Sequence, residues 1–189
     1  MKQAEIIQGC KKGERNAQKA FVMTYSGFIL NICLRYTYDQ HEAKDCLQET
    51  LVHVLKKIDQ YNEFGSFNSW LSRVTVNKTL EYLRKFRKLK ILDLSGESKL
   101  RIDESIHLKI EEETVLNYMS TLPEKYKIVL NMYIVEGYKH KEIAELLGVT
   151  ESTSRSILTR ARKMLEKTFC DGEENEPERK SQMIFLKNK

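Results

Sequence analysis

Proline is nearly absent from this chain of 189 residues, with two in all, and glycine occurs only eight times. So few breakers leave room for long uninterrupted helices, and the scarcity of apolar–polar alternation argues against strands. No apolar run approaches the roughly 20 residues of a membrane span. The opening MKQAEIIQGCKKGER lacks the charged-then-apolar order of a secretion signal, which predicts a cytoplasmic protein without direct membrane insertion. The four cysteines, Cys10, Cys33, Cys46 and Cys170, form no CxxC pair. Cys33 and Cys46 fall within apolar helical stripes, so buried reduced thiols are expected rather than disulfides or zinc. Histidines are scattered at 41, 53, 107 and 140. No glycine-rich phosphate loop and no Ser/His/Asp or metal-ligand cluster stands out. The expectation is therefore no catalytic residue, no metal, no cofactor and no enzyme.

Apolar residues make up 41% of the chain, enough for real cores and too many for a disordered protein. Net charge is +5, which favours a polyanionic partner without demanding one. The spacing predicts an all-α chain of two small helical domains joined by a flexible linker, the second ending in a helix-turn-helix. The domains are placed at 1–92 and 114–170, the linker at 93–113, and a disordered tail at 171–189.

The second domain is the more explicit. Lys141 to Leu147 reads as a short helix with Ile143, Leu146 and Leu147 inward. Gly148-Val149 makes the turn, and Thr150 is a natural N-cap. The helix that follows puts Ile157, Leu158, Ala161, Met164 and Leu165 on one face. Arg155, Ser156, Thr159, Arg160 and Lys163 fall on or near the opposite one. Arg can grip guanine O6 and N7 with both arms, and hydroxyls serve base edges or phosphates, so this face suits a major groove. Pro123 fits the first turn of a preceding helix that carries Ile128, Val129, Met132 and Tyr133.

In the first domain, helices are expected near Lys2 to Lys11, from Glu14 to Tyr36 and, after a polar break at Asp39 to Glu42, from Ala43 to Ile58. Phe21, Tyr25, Phe28, Ile29, Ile32, Cys33 and Tyr36 form a core stripe, faced by Ala43, Leu47, Leu51, Val54, Leu55 and Ile58. The loop Tyr61 to Ser69 carries Phe64 and Phe67, and Ser66 is placed to cap a helix running through Trp70, Leu71, Val74 and Leu83. Trp70 and at least one of the two phenylalanines are expected to plug the core. From 66 to 90 the basic residues Arg73, Lys78, Arg84, Lys85, Arg87, Lys88 and Lys90 face a single acid, Glu81. A basic helix beside an aromatic loop suits single-stranded nucleic acid, because phosphates need cations and unstacked bases need π faces. From 93 to 113 the balance reverses, with seven acids against Lys99, Arg101 and Lys109. About twenty extended residues can hold two domains up to roughly 70 Å apart.

These segments resemble one family. DCLQETLVHVLKKI (45–58), FGSFNSWLSRVTVNKTLEYLRK (64–85) and LPEKYKIVLNMYIVEGYKHKEIAELLGVTESTSRSILTRARKML (122–165) are together similar to regions 2 and 4 of the extracytoplasmic-function (ECF) RNA polymerase sigma factors of the sigma-70 family. The resemblance implies core RNA polymerase and promoter DNA as partners, with an anti-sigma factor as a further possible one. It implies that Asp45, Gln48 and Glu49 face the clamp helices of the polymerase largest subunit, where carboxylates can pair with Arg. It places Phe64, Phe67, Arg73, Asn77, Lys78, Arg84 and Lys85 at the minus-10 element, the loop holding a base flipped from the non-template strand. Arg155, Ser156, Thr159, Arg160 and Lys163 would read or brace the minus-35 element. Ser154 stands where the family commonly has Val, which predicts looser packing at the helix start. Ile157 stands where it often has Arg, which predicts one lost phosphate contact. The acidic tail after Cys170 exceeds the minimal family layout. The rival reading is a stand-alone dimeric helix-turn-helix regulator, and the whole first domain argues against it. A nucleic-acid enzyme such as a recombinase would need clustered acids or a placed nucleophile, and neither is found.

Overall fold

The computed structural model describes residues 1–37, 39–62, 64–87 and 122–171, and among them every regular element is helical. The chain divides into two compact units, Met1–Leu89 and Lys90–Lys189. The expected linker at 93–113 and the tail beyond Asp171 lie outside the described residues.

The first unit comprises α1 (Gln3–Lys11), α2 (Arg15–Tyr36), α3 (Gln40–Lys57), a 3-10 turn (Ile58–Gln60) and α4 (Phe67–Arg87). Helix α2 is the hub and packs against α1, α3 and α4. Its expected stripe is largely the core: Phe21, Tyr25, Ile29, Ile32, Cys33 and Tyr36 are buried. The predicted polar break at Asp39–Glu42 is tighter than expected, because Asp39 caps α3 by accepting from the Glu42 amide at 2.8 Å and the helix is under way by Gln40. The inner face of α3 is also narrower than its leucines suggest. Ala43, Cys46, Thr50 and Val54 are buried, whereas Leu47, Leu51 and Leu55 are half-buried flanks.

Polar groups enter this core as a hydrogen-bonded cluster around Thr79. The Thr79 hydroxyl donates to the Thr75 carbonyl at 2.9 Å, and the Cys46 thiol donates to Thr79 Oγ1 at 3.4 Å. Cys33, Cys46 and Cys10 are buried free thiols. The hydrogen bond with Cys46, and then burial, push the Cys33 thiol far above its ordinary value.

The second unit contains α5 (Glu124–Leu130), continuing as a π-helical turn (Asn131–Val135), then α6 (His140–Leu147) and α7 (Glu151–Asp171). Pro123 precedes the first turn of α5, where its missing N–H costs nothing, and its carbonyl accepts from the Tyr126 and Lys127 amides. Ile128, Val129, Leu130 and Met132 are buried with Ile143, Leu147, Ile157, Leu158, Ala161 and Leu165. Helix α7 packs on both α5 and α6. Met164, expected on the apolar face, is instead 38% exposed, because it lies at the edge of the stripe that Ala161 and Leu165 close.

Candidate nucleic-acid interface

The turn between α6 and α7 is built as the spacing predicted. Gly148 ends α6 in the left-handed region at φ 68°, a conformation a Cβ resists. Thr150 Oγ1 accepts from the Thr153 amide at 3.1 Å, capping α7. Arg155, Ser156, Thr159, Arg160 and Lys163 are all exposed on α7, while Ile157, Leu158, Ala161 and Leu165 hold its back. The Arg155 guanidinium pairs with Glu151 one turn earlier. Ser156 and Thr159 donate their hydroxyls to the carbonyls of Thr153 and Arg155 at 2.9 and 3.0 Å, which leaves oxygen lone pairs to receive donors.

Two expectations for this helix are corrected. Ser154 does not loosen its start: it is fully buried, and its hydroxyl lies 3.0 Å from His140 Nδ1 at the head of α6. The His140 ring stacks on Tyr133 with centroids 4.6 Å apart. A polar tie thus stands where an apolar contact was expected. Burial, and then the Arg155 charge, outweigh Glu151 and hold the His140 imidazole below its ordinary value. Ile157 is 1% exposed, so the position faces the core and removes no cation from the outer face.

In the first unit, the loop before α4 separates its two phenylalanines sharply. Phe64 is 89% exposed. Phe67 is 3% exposed and lies within an aromatic cluster, its ring centroid 6.4 Å from Phe21, 5.3 Å from Tyr25, 5.0 Å from Tyr61 and 5.4 Å from Trp70. Phe67 is therefore a support of the loop, not a surface for a base, because the first residue of α4 points into the unit. Trp70 is only half-buried. The Trp70 amide donates to the Ser66 carbonyl at 3.2 Å, setting the helix start at the expected place.

Along α4, Arg73, Asn77 and Arg84 are exposed, and the helical repeat sets them within about 40° of one another. Lys85 is exposed to one side. Lys78 departs from this row. Its side chain is only 14% exposed, and its ammonium pairs with Glu49 at 3.3 Å and Glu81 at 3.1 Å. Burial works against that charge, yet the two carboxylates prevail and hold the ammonium above its ordinary value. Lys78 thus ties α4 to α3 and is not a free phosphate ligand.

On α3, Asp45 and Gln48 are exposed and Glu49 is half-exposed. The same face carries an apolar residue that sequence reasoning did not single out, Val52, 55% exposed. Together with Gln48, Glu49, His53, Lys56 and Lys78, it lines a shallow groove. An apolar residue surrounded by both charge signs is a common form of protein docking surface. The signal is in the sequence, since Val52 follows Asp45 and Gln48 at helical spacing and so shares their face.

Comparison with known proteins matches both units. The family model for Sigma-70 region 2 matches residues 21–89, and that for Sigma-70, region 4 matches residues 112–165. The chain is 30% identical over 155 residues to the ECF RNA polymerase sigma factor SigM of Bacillus subtilis (strain 168), covering 80% of this chain and 94% of that one. The chain belongs to the ECF RNA polymerase sigma factors. It is also 26% identical over 179 residues to SigW of the same organism, covering 87% of this chain and 95% of the relative. Among solved structures, the sigma factor RpoE of Bartonella quintana, in complex with the anti-sigma factor NepR, shares the fold. Its TM-score is 0.52 at 18% identity, covering 79% of this chain and 94% of that one.

Membership makes this sigma factor a promoter-recognition protein of transcription initiation, and a stand-alone dimeric regulator is not favoured. Among the described residues, no helix is long and apolar enough to cross a membrane. No group of three or more His, Cys, Asp or Glu side chains among them could hold a metal ion.

Proposed function

We propose that this ECF sigma factor divides promoter recognition between its two units while docked on core RNA polymerase. The domain bodies correspond to residues 1–92 and 114–170, with 93–113 as the connecting linker. Arg155, Ser156, Thr159, Arg160 and Lys163 engage minus-35 duplex DNA, Arg155 and Arg160 supplying the bidentate donors. Phe64 with Arg73, Asn77, Arg84 and Lys85 receives the minus-10 non-template strand. Phe67 supports that loop from below, and Lys78 belongs to the α3–α4 tie. Asp45, Gln48 and Glu49, centred on Val52, face the clamp helices of the polymerase largest subunit.

The chain does no covalent chemistry in this scheme. Binding the melted strand better than the duplex shifts the DNA toward the open state, and the differential affinity is the driving force. The observation that carries the reading is the pairing of a capped helix with an outward cationic row in one unit and an outward Phe64 beside a second cationic row in the other. An anti-sigma factor occluding these surfaces is a further proposed partner, supported by a sigma relative of the same fold solved with one.

The test is addition of the purified chain to core bacterial RNA polymerase, scoring co-elution and promoter-specific transcripts. Arg155→Ala with Arg160→Ala should weaken minus-35-dependent transcription and leave co-elution intact. Charge reversal at Asp45 and Glu49 should impair co-elution first. The opposite pattern would overturn the division of roles.

A further inference from the structure

The loop that carries Phe64 is tied down from an unexpected direction. Lys11, the last residue of α1, reaches across 50 residues of sequence and donates from Nζ to the Tyr61 carbonyl at 2.8 Å. The ammonium also lies 5.8 Å from the centroid of the Tyr61 ring, within reach of a cation–π attraction. Tyr61 in turn is 8% exposed, and its hydroxyl donates to the Gly65 carbonyl at 3.0 Å. Gly65 adopts φ 93°, which only glycine adopts without strain. Between these ties the Phe64 amide donates to Asn62 Oδ1 at 3.3 Å. The loop is thus held at its base by Lys11 and across its mouth by the tyrosine hydroxyl, while Phe64 stands outward at its apex.

The seat of α1 is itself set by close packing. A Cβ at Gly9 would fall 2.4 Å from the Ala17 Cβ, so only glycine lets α1 lie at this depth on α2. Gln3 adds a second tie by donating from Nε2 to the Tyr25 hydroxyl at 3.0 Å, and Tyr25 contacts Phe67 beneath the loop. Helix α1 and the aromatic cluster therefore act together on one short segment.

We infer that Lys11 and Tyr61 are positioning residues for strand capture: through the Tyr61 carbonyl and the Gly65 carbonyl they preset the loop in the shape that receives the unpaired minus-10 base. The inference rests on the proposed role of this loop. A loop ordered before binding does not lose that freedom when the base arrives, so the brace contributes to capture rather than to docking on polymerase. Neither residue lies on the proposed polymerase-facing surface or on α7.

The test uses the full chain assembled with core polymerase, on a promoter it transcribes that carries 2-aminopurine at the captured non-template position. Its fluorescence rises when the base leaves the stack. Tyr61→Phe removes the hydroxyl and keeps the ring, and Lys11→Met removes the ammonium and keeps most of the stem. Each should lower the capture equilibrium about fivefold, the effect of one net hydrogen bond. Discrimination against a wrong base at that position should fall in parallel, while co-elution and minus-35 duplex binding stay at the wild-type level. Lys11→Arg, which retains a donor, should recover most of the loss.

If both variants capture the strand as the wild type does, the brace is refuted while capture by the loop stands. If capture, co-elution and thermal stability all fall together and base discrimination does not change, the two residues are only structural and the inference is wrong. A wild-type holoenzyme that shows no fluorescence rise on that promoter would remove the loop's proposed role, and the brace with it.

Discussion

Replacing Phe67 and Phe64 one at a time by alanine separates support from contact in the loop before α4. Phe67 is 3% exposed and touches four other aromatic rings. Its removal forfeits both the transfer free energy of a large side chain and the contacts around the space it leaves, together roughly 3–5 kcal/mol. For a unit of this size each kcal/mol shifts the melting temperature by about 4–8 °C, so Phe67→Ala should melt at least roughly 12 °C lower. Phe64 is 89% exposed, and its truncation should change stability by no more than about 0.5 kcal/mol. The assay is urea or thermal unfolding followed by fluorescence of the single tryptophan, because Trp70 lies 5.4 Å from Phe67, centroid to centroid. Binding of single-stranded minus-10 DNA by the holoenzyme is measured alongside. Phe64→Ala should lose strand binding at full stability, by a factor corresponding to about 1–3 kcal/mol of stacking. The reasoning is refuted if Phe67→Ala unfolds within about 1 kcal/mol of wild type and still loses the strand, since Phe67 would then be a contact.

The tie between α6 and α7 should respond to acid. His140 faces Ser154 and Tyr133, with Arg155, Glu151 and Arg162 the charged groups around it. Its folded value lies below the ordinary 6.5, so the folded state binds protons less readily than the unfolded one. The stability it contributes is full above the unfolded value and is lost as pH falls through the folded one. The stability difference between wild type and His140→Gln should therefore shift against the wild type on acidification below about pH 6.5; a flat or opposite trend in pH-dependent unfolding contradicts this. At the other end of the turn, Thr150→Ala should destabilise the second unit by about 1 kcal/mol, with Thr150→Ser close to wild type. Calorimetry in which Thr150→Ala melts like the wild type would show that the hydroxyl is not acting as the cap.

Much of the fold could be read from the chain because its signals are local. A stripe at helical spacing or a glycine followed by a threonine acts within one or two turns, and Gly148 and Thr150 do what residues of their kind do. The outward row on α7 was legible for the same reason, since the periodicity that buries Ile157 and Leu158 exposes Arg155 and Thr159. The composition alone, poor in proline and in alternating patterns, sufficed for the all-helical class.

Other features depend on which face meets a neighbour, and only the tertiary structure decided those. Phe64 and Phe67 are three residues apart where an aperiodic loop meets α4, and which of them enters the core is settled by the pocket that Phe21, Tyr25 and Tyr61 make. Lys78 and Arg73 belong to the same basic helix, yet the acidic face of α3 claims Lys78 and leaves Arg73 outward. Ser154 looked like a weak core residue until α6 placed His140 against it, and nothing local to Lys11 marks it as the residue that holds a loop 50 residues away. Helical spacing assigns a side chain to a face of its own helix, but a salt bridge or a buried hydrogen bond between distant segments forms only when packing brings its two ends together.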